Sequence, residues 1–254
     1  MGMRKVFDDE PDITTVGEAA NGTTALGVTS RTCPDVVLVD ADLPPFGGLE
    51  LTRLLHDGDS RAPQVVLLVA HDLDLVFPAL QNGVSGFMLK TRAPGELING
   101  VRAVAAGDAA LAPPAARRLI DHLDSSLLGS GSSSGPDLSV LTDRERQVLH
   151  HVGRGLPNTE IADELGVLPS TVKSHVAHLL AKLNLRNRVE AALLARRSTE
   201  ISGSRFGTAT VHAPACVRNN YLAESSPAKV AVGSSTPSRK HWNGSRGFPR
   251  PGAS

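Results

Sequence analysis

The chain has 254 residues, 26 of them basic and 26 acidic, so its formal net charge is zero. That length suits one large or two small domains, and a zero balance taken alone favours neither a nucleic-acid binder nor an acid-rich surface. The zero is a cancellation, however: residues 1–124 carry −7, 125–137 carry −1, 138–197 carry +3 and 198–254 carry +5, an acidic module joined to one able to approach a polyanion. The longest apolar run, Val65 to Ala70, is six residues, far below the ~18–20 that cross a bilayer, and residues 1–10 hold no apolar signal core. The expectation is a cytoplasmic protein with no membrane partner. Cys33 and Cys216 are the chain's two cysteines and lie far apart in sequence, so neither a disulfide framework nor a metal site is indicated.

From residue 13 to 90, short β-branched runs alternate with helix-like segments, the pattern of a parallel sheet covered by helices. Strands are expected at residues 14–19, 35–39, 64–69 and 86–89, and helices at 24–30, 49–55, 75–81, 94–106 and 113–123. Val36-Val37-Leu38-Val39 and Val65-Val66-Leu67-Leu68-Val69 are continuous rather than alternating, as in strands buried on both faces. Ser and Gly dominate residues 125–136, which read as a flexible linker. Residues 138–197 return to apolar spacings of three and four, a compact all-helical module. In 198–254 Ser, Gly, Pro and Asn prevail without periodicity, and a disordered tail is expected.

Asp40 ends a buried strand and precedes the turn-forming Ala41-Asp42-Leu43-Pro44-Pro45-Phe46-Gly47-Gly48, at the edge where open α/β sheets bind ligands. Its plainer role is to cap that loop. Val16-Gly17-Glu18-Ala19-Ala20-Asn21-Gly22, Pro34-Asp35-Val36-Val37-Leu38-Val39-Asp40 and Gly83-Val84-Ser85-Gly86-Phe87-Met88-Leu89-Lys90 together resemble the receiver domain of NarL/FixJ-type two-component response regulators, over about residues 6–123. The resemblance implies a doubly wound, flavodoxin-like α/β fold. It makes Asp40 the phosphoacceptor, Lys90 its lysine partner and Phe87 the aromatic that turns inward on activation, with a sensor histidine kinase as partner.

Three departures bear on that chemistry. The family's Mg²⁺ is held by an acidic pair ending the first strand, and hard Mg²⁺ needs several oxygen ligands. Asp8-Asp9 tempts as that pair, but too few residues separate Asp9 from Val16-Gly17-Glu18 for a helix and a strand. Residues 1–12 therefore read as the tail of the first helix, and the receiver as incomplete, lacking its first strand. No cofactor is expected unless an acidic pair lies upstream of Met1. Val69 stands where the family carries a hydroxyl switch residue, and Pro78 falls within the expected helix 75–81, where it removes a donor and kinks the turn. Phosphorylation at Asp40 is expected to be impaired or absent. Three resolutions of the gap stay open: an upstream start, residues 13–19 paired directly with 35–39, or a partly folded domain.

In the second module Thr142 and Glu145 form a capping box. Residues 158–165 read as a second helix stopped by Gly166, and 169–183 as a third, with Val172, Val176, Leu179, Leu180 and Leu183 on one buried stripe. The opposite face offers Lys173, Ser174, Ala177 and Ala181, small or basic residues suited to a major groove. Leu141-Thr142-x-Arg144-Glu145, Gly155-Leu156-Pro157-Asn158-x-Glu160-Ile161-Ala162 and Thr171-Val172-Lys173-Ser174-His175-Val176 resemble the LuxR-type helix-turn-helix, over residues 139–197. The resemblance puts Lys173, Ser174 and Ala177 on bases of double-stranded DNA, Thr171 and Lys182 near phosphates, and Asn158 near the backbone, with residues 189–194 pairing two subunits into a homodimer. Leu168 replaces the usual hydroxyl N-cap. His175 and His178 lack further ligands for a metal, and Gly131-Ser132-Ser133-Ser134-Gly135 matches a hydrolase elbow only formally. The reading is a dimeric, non-enzymatic DNA-binding transcription regulator on inverted repeats. The alternative is a protein that does not bind DNA and modulates an intact regulator by heterodimerising with it.

Overall fold

In the computed structural model the described residues are 3–57, 62–127, 137–201 and 227–233. The first helical element is a single 3-10 turn, Met3–Val6, where the tail of a helix is expected. There follow β1 (Ile13–Ala19), α1 (Gly22–Thr32), β2 (Val36–Asp40), α2 (Gly48–His56), β3 (Gln64–Val69), α3 (Val76–Gln81), β4 (Val84–Leu89), α4 (Pro94–Ala105), β5 (Ala110–Leu111) and α5 (Pro113–Leu127). The helical module comprises α6 (Asp143–Gly153), α7 (Asn158–Leu165), α8 (Pro169–Lys182) and α9 (Arg188–Ile201), and β6 (Ala228–Gly233) lies beyond it. Most of the expected linker, residues 128–136, lies outside the described residues.

The sheet is parallel, in the order β1-β6-β2-β3-β4-β5. Of the resolutions left open, direct pairing of residues 13–19 with 35–39 does not occur. The expectation of a disordered tail is corrected in part, because residues 228–233 pair with β1 on one side and β2 on the other. In the doubly wound order 2-1-3-4-5 this is the place of the first strand. The receiver's sheet is therefore complete in strand positions. The remainder of the tail, 202–226 and 234–254, lies outside the described residues.

The continuous apolar runs are the central strands, as side chains that alternate across a strand require when both faces are covered. Val37, Val39, Val65, Leu67, Val69 and Phe87 point to the face under α1, α2, α3 and α5. Val36, Leu38, Val66, Leu68 and Met88 point to the other, with Ile98, Val101 and Val104 of α4. Phe7, 1% exposed, extends that second cover, so the 3-10 turn and its following loop take part in the core. Pro78 does not kink a helix: α3 begins at Val76, so Pro78 lies in the first turn, where its missing N–H has no intrahelical partner to lose. Residues 73–75 form a separate 3-10 turn.

The helical module has its own core of Leu141, Val148, Leu149, Val152, Ile161, Ala162, Val172, Val176, Leu179 and Leu183, with Ala191 and Ala195 of α9. Gly166 ends α7 at φ 64°, the left-handed cap that turns the chain into α8. The capping box is present: the Glu145 amide donates to Thr142 Oγ1 at 3.3 Å, and the Thr142 amide donates to Glu145 Oε2 at 2.8 Å. Lys182 Nζ also donates to Glu145 Oε2, at 2.7 Å, tying the end of α8 to the start of α6. Leu168 makes no side-chain cap and is exposed.

Two predictions follow from local balance. The Thr15 hydroxyl, at the seam of β1 and β6, is buried without a hydrogen-bond partner among the described residues. An unsatisfied buried hydroxyl costs about 1–3 kcal/mol, so Thr15→Val is expected to raise stability by about 1 kcal/mol, read as a higher urea midpoint at unchanged slope. Burial pushes the Glu145 carboxyl up, but the hydrogen bonds from Lys182 and Thr142 outweigh it and hold it at about 2, below the ordinary 4.5. A depressed folded-state value stabilises above the ordinary one and is lost as pH falls from about 4.5 towards about 2. Glu145→Gln should therefore flatten the acid unfolding of the helical module across that window, followed by circular dichroism.

Candidate functional site

Asp40 stands at the carboxyl end of β2, 4% exposed. Lys90, just past β4, is brought to it: its amide donates to the Val69 carbonyl at 2.8 Å and its Nζ lies 2.5 Å from Asp40 Oδ1. The Asp42 amide donates to the same Asp40 oxygen at 2.9 Å, and Asp42 Oδ2 is 3.8 Å from Lys90 Nζ. Asp40 thus also has the loop-capping role. Val69 is buried at the end of β3, beside Leu89, and presents no hydroxyl; Phe87 is fully buried in the core below. Of the four residues found by sequence reasoning, the fold brings Asp40, Lys90 and Val69 to one edge of the sheet and sets Phe87 beneath them.

The donor set does not fit the Mg²⁺ that the family resemblance implies. The strand beside β2 ends with Gly233 opposite Val39, so it brings no carboxylate to Asp40. The acidic residues at 8–12 precede β1 and lie at the amino edge of a parallel sheet, the end opposite Asp40. There Arg102 of α4 takes them, its Nη2 2.6 Å from both Glu10 Oε2 and Asp12 Oδ1. Among the described residues no three His, Cys, Asp or Glu side chains are grouped to hold a metal ion.

The second site is α8. Val172, Val176 and Leu179 face the core, leaving Lys173, Ser174, Ala177, His178 and Ala181 exposed, while Thr171 is half-buried at its first turn. Ser174 Oγ donates to the Ser170 carbonyl at 3.0 Å within the helix. Lys182, expected near phosphates, has its ammonium on Glu145 instead. Lys173 and Asn158 are held by the receiver. Lys173 Nζ donates to the Ala105 carbonyl at 2.7 Å, and Asn158, 2% exposed, donates from Nδ2 to the Ala106 carbonyl at 2.9 Å and from its amide to Asp108 Oδ1 at 3.0 Å.

The contact has a simple basis. The last carbonyls of a helix have no intrahelical donor, and the helix end carries partial negative charge. Those of α4 meet Lys173 and Asn158. Those of α3 meet the loop before α9, where Arg186 donates to the Gln81 carbonyl at 2.5 Å and Asn187 to the Leu80 carbonyl at 2.7 Å. Gly107, at φ 88°, lets the chain turn under Asn158 and Lys173; a Cβ there would lie 3.1 Å from Asn158 Nδ2. Arg188 closes the seam, donating to Asn158 Oδ1 at 2.7 Å and the Leu156 carbonyl at 2.5 Å, with Asp108 Oδ1 at 3.5 Å. Burial pushes its guanidinium down, with Asp108 acting the other way. Val189 and Leu193, in the stretch expected to pair subunits, pack into the receiver's core cluster. Asp108, Arg186, Asn187 and Arg188 are missed by sequence reasoning: Asp108, Arg186 and Asn187 meet backbone groups of the other module, Arg188 meets Asn158, the Leu156 carbonyl and Asp108, and none of these pairings leaves a motif.

Comparison with known proteins agrees with both halves. The family described as the response regulator receiver domain matches residues 1–102, and that described as bacterial regulatory proteins of the luxR family matches residues 139–195. The nitrate/nitrite response regulator protein NarL of Escherichia coli strain K12 is 36% identical over 192 residues, covering 76% of this chain and 87% of NarL. The transcriptional regulatory protein LiaR of Bacillus subtilis strain 168 is 32% identical over 198 residues, covering 78% and 92%. Among solved structures, a LuxR-family two-component response regulator from Aurantimonas sp. shares 30% identity with a TM-score of 0.45, over 48% of this chain and 86% of that one. Among the described residues no helix is long and apolar enough to cross a membrane. With Asp40 and Lys90 joined at the carboxyl edge of the receiver's sheet, and a helix-turn-helix docked on the ends of α3 and α4, the chain belongs to the NarL-type response regulators, DNA-binding transcription regulators that are not enzymes.

Proposed function

We propose that this regulator reads double-stranded DNA through the exposed face of α8, as a cytoplasmic homodimer on an inverted repeat, and that the closed arrangement described above is its non-binding form. Lys173, Ser174 and Ala177 would meet base edges, with Asn158, Thr171 and Lys182 towards the backbone. The observation that carries this reading is the occupation of Lys173 and Asn158 by carbonyls of α4. These are cationic and amide donors of the kind that bind phosphate, here satisfied by helix-end carbonyls whose partial charge stands in for it. Opening would release them together with the α9 surface around Val189 that is to pair subunits.

We further infer that Asp40 is a poor phosphoacceptor in this chain. A carboxylate attacks phosphorus readily only where cations offset the charge building on the phosphoryl oxygens. Lys90 offers one, the Val69 side chain offers no hydrogen bond, and Gly233 brings no metal-binding oxygen from a side chain. A sensor kinase, if the chain has one, would find an acceptor with half of the family's equipment.

Two measurements test these readings. Binding of the full chain to a labelled mixed-sequence duplex should weaken steeply with salt. Asp108→Ala, which removes the acceptor of the Asn158 amide and the carboxylate beside Arg188, should tighten it several-fold by favouring the open form. Lys173→Ala in that background should weaken it several-fold, as loss of a base-edge contact would. Absence of salt-dependent binding in both proteins would overturn the assignment of α8. With a small-molecule phosphodonor and Mg²⁺, labelling is expected to stay well below one phosphoryl group per chain; stoichiometric labelling abolished by Asp40→Asn would show the site to be competent.

A further inference from the structure

The segment 228–233 is separated from β5 by the whole helical module, yet it occupies the interior of the receiver's sheet rather than an edge. It is hydrogen-bonded in parallel to both neighbours, from Ile13↔Ala228 to Ala19↔Gly233 on one side and from Val36↔Val230 to Val39↔Gly233 on the other. Its side chains serve both faces. Val230 and Val232 are buried with Phe7, Ile13, Val36 and Leu38, and Ala231 with Ala19, Ala25, Val28, Val37 and Val39. Its entry is pinned at three points: the Ala228 amide donates to the Asp12 carbonyl at 2.8 Å, the Lys229 amide to Asp35 Oδ2 at 2.9 Å, and the Asp35 amide to the Lys229 carbonyl at 2.9 Å.

We propose that the space between β1 and β2 is a strand-acceptor site, and that its occupant is the chain's own residues 228–233 acting as a donor strand on which the receiver's sheet depends. Without it, the facing edges of β1 and β2 would carry unpaired amides and carbonyls in the middle of the domain, and Val36 and Leu38 would lose their neighbours on one side. This is strand addition of the kind used when an extended segment completes another protein's sheet: main-chain hydrogen bonds hold it, and alternate side chains select it. The acceptor suits a short segment with small residues on the α1 face and β-branched ones on the α4 face, as Ala231 and the pair Val230 and Val232 provide. The donor strand follows α9, so it anchors the helix-turn-helix module to the receiver by a second connection. That second anchor raises the local concentration of the module at its docking face. This last step rests on the reading of α8 proposed above.

A test uses the full chain with a specific protease sequence inserted between residues 210 and 220. After cleavage the C-terminal piece is expected to co-elute with the rest, and the amides of residues 36–40 to keep their protection from hydrogen exchange. Excess synthetic peptide of residues 226–236 should displace it, and the cut protein should bind duplex DNA several-fold more tightly than the uncut one. A complementary uncut variant, Val230→Asp with Val232→Asp, should lose protection in residues 13–19 and 36–40 while residues 143–195 keep theirs. Separation of the cut piece with protection at 36–40 unchanged would overturn the donor strand. So would exchange of tail segments between isotope-labelled uncut copies, since a second molecule would then be the occupant. If the strand readouts hold and no DNA is bound at any salt, the reading of α8 fails and the donor strand stands.

Discussion

A parallel sheet tolerates no gap in its middle. Each interior strand must find partners for amides and carbonyls along both edges, in a layer that helices shield from water. In this protein that constraint falls on the space between β1 and β2, and six residues from the far end of the chain meet it. The position of Asp40 depends on this. β2 is buried along its whole length only because β6 and β3 flank it, and a carboxylate at its end reaches Lys90 only because β4 is in register two strands away. The continuous packing of Val36 and Leu38 against Val230, Val232 and α4 belongs to the same arrangement.

Completing a sheet and completing a site are different tasks. A strand's backbone is nearly indifferent to sequence, so Ala228–Gly233 can satisfy hydrogen bonds and fill both faces. The chemistry at the end of a strand is not indifferent. At the level of Val39 the donor strand offers Gly233, which brings a backbone and no acid. The acidic residues that the chain does hold near its start lie beyond the opposite edge, where Glu10 and Asp12 are bound to Arg102. Asp40 is therefore buried and paired with a lysine, while among the described residues no further cation stands beside Lys90 to offset additional negative charge.

The acidic and basic halves of the chain meet through something weaker than their charges. At both docking points the receiver presents the carbonyl end of a helix, Leu80 and Gln81 ending α3, Ala105 ending α4 and Ala106 capping it, and the helical module presents donors. Such carbonyls need partners whatever the sequence, so the contact requires no large complementary surface. Among the described residues Arg188 and Asp108 alone add an ion pair between the modules, at 3.5 Å. Bonds of this kind exchange with water or phosphate at little net cost each, which suits the opening proposed for this contact.

Much of this was legible in the sequence because it is local. The run Val36 to Val39 and the run Val65 to Val69 declare buried parallel strands; the capping box at Thr142 and Glu145, the Gly166 stop and the stripe from Val172 to Leu183 declare the helix-turn-helix. Asp40 and Lys90 were found from their motifs and do meet. The interdomain donors were not legible, since Asn158 and Lys173 have the same chemistry whether they face a helix end or a phosphate. The donor strand was illegible for another reason. Ala228 to Gly233 has a modest β-branched content and stands in a Ser- and Pro-rich stretch, with no period long enough to signal a strand. What makes it one is the pair of edges that β1 and β2 present, a demand created by the rest of the fold. Pro78 teaches the same point in the other direction. A proline expected to break a helix is harmless once the helix starts two residues before it, and only the packing of α3 on β4 decides where that start falls.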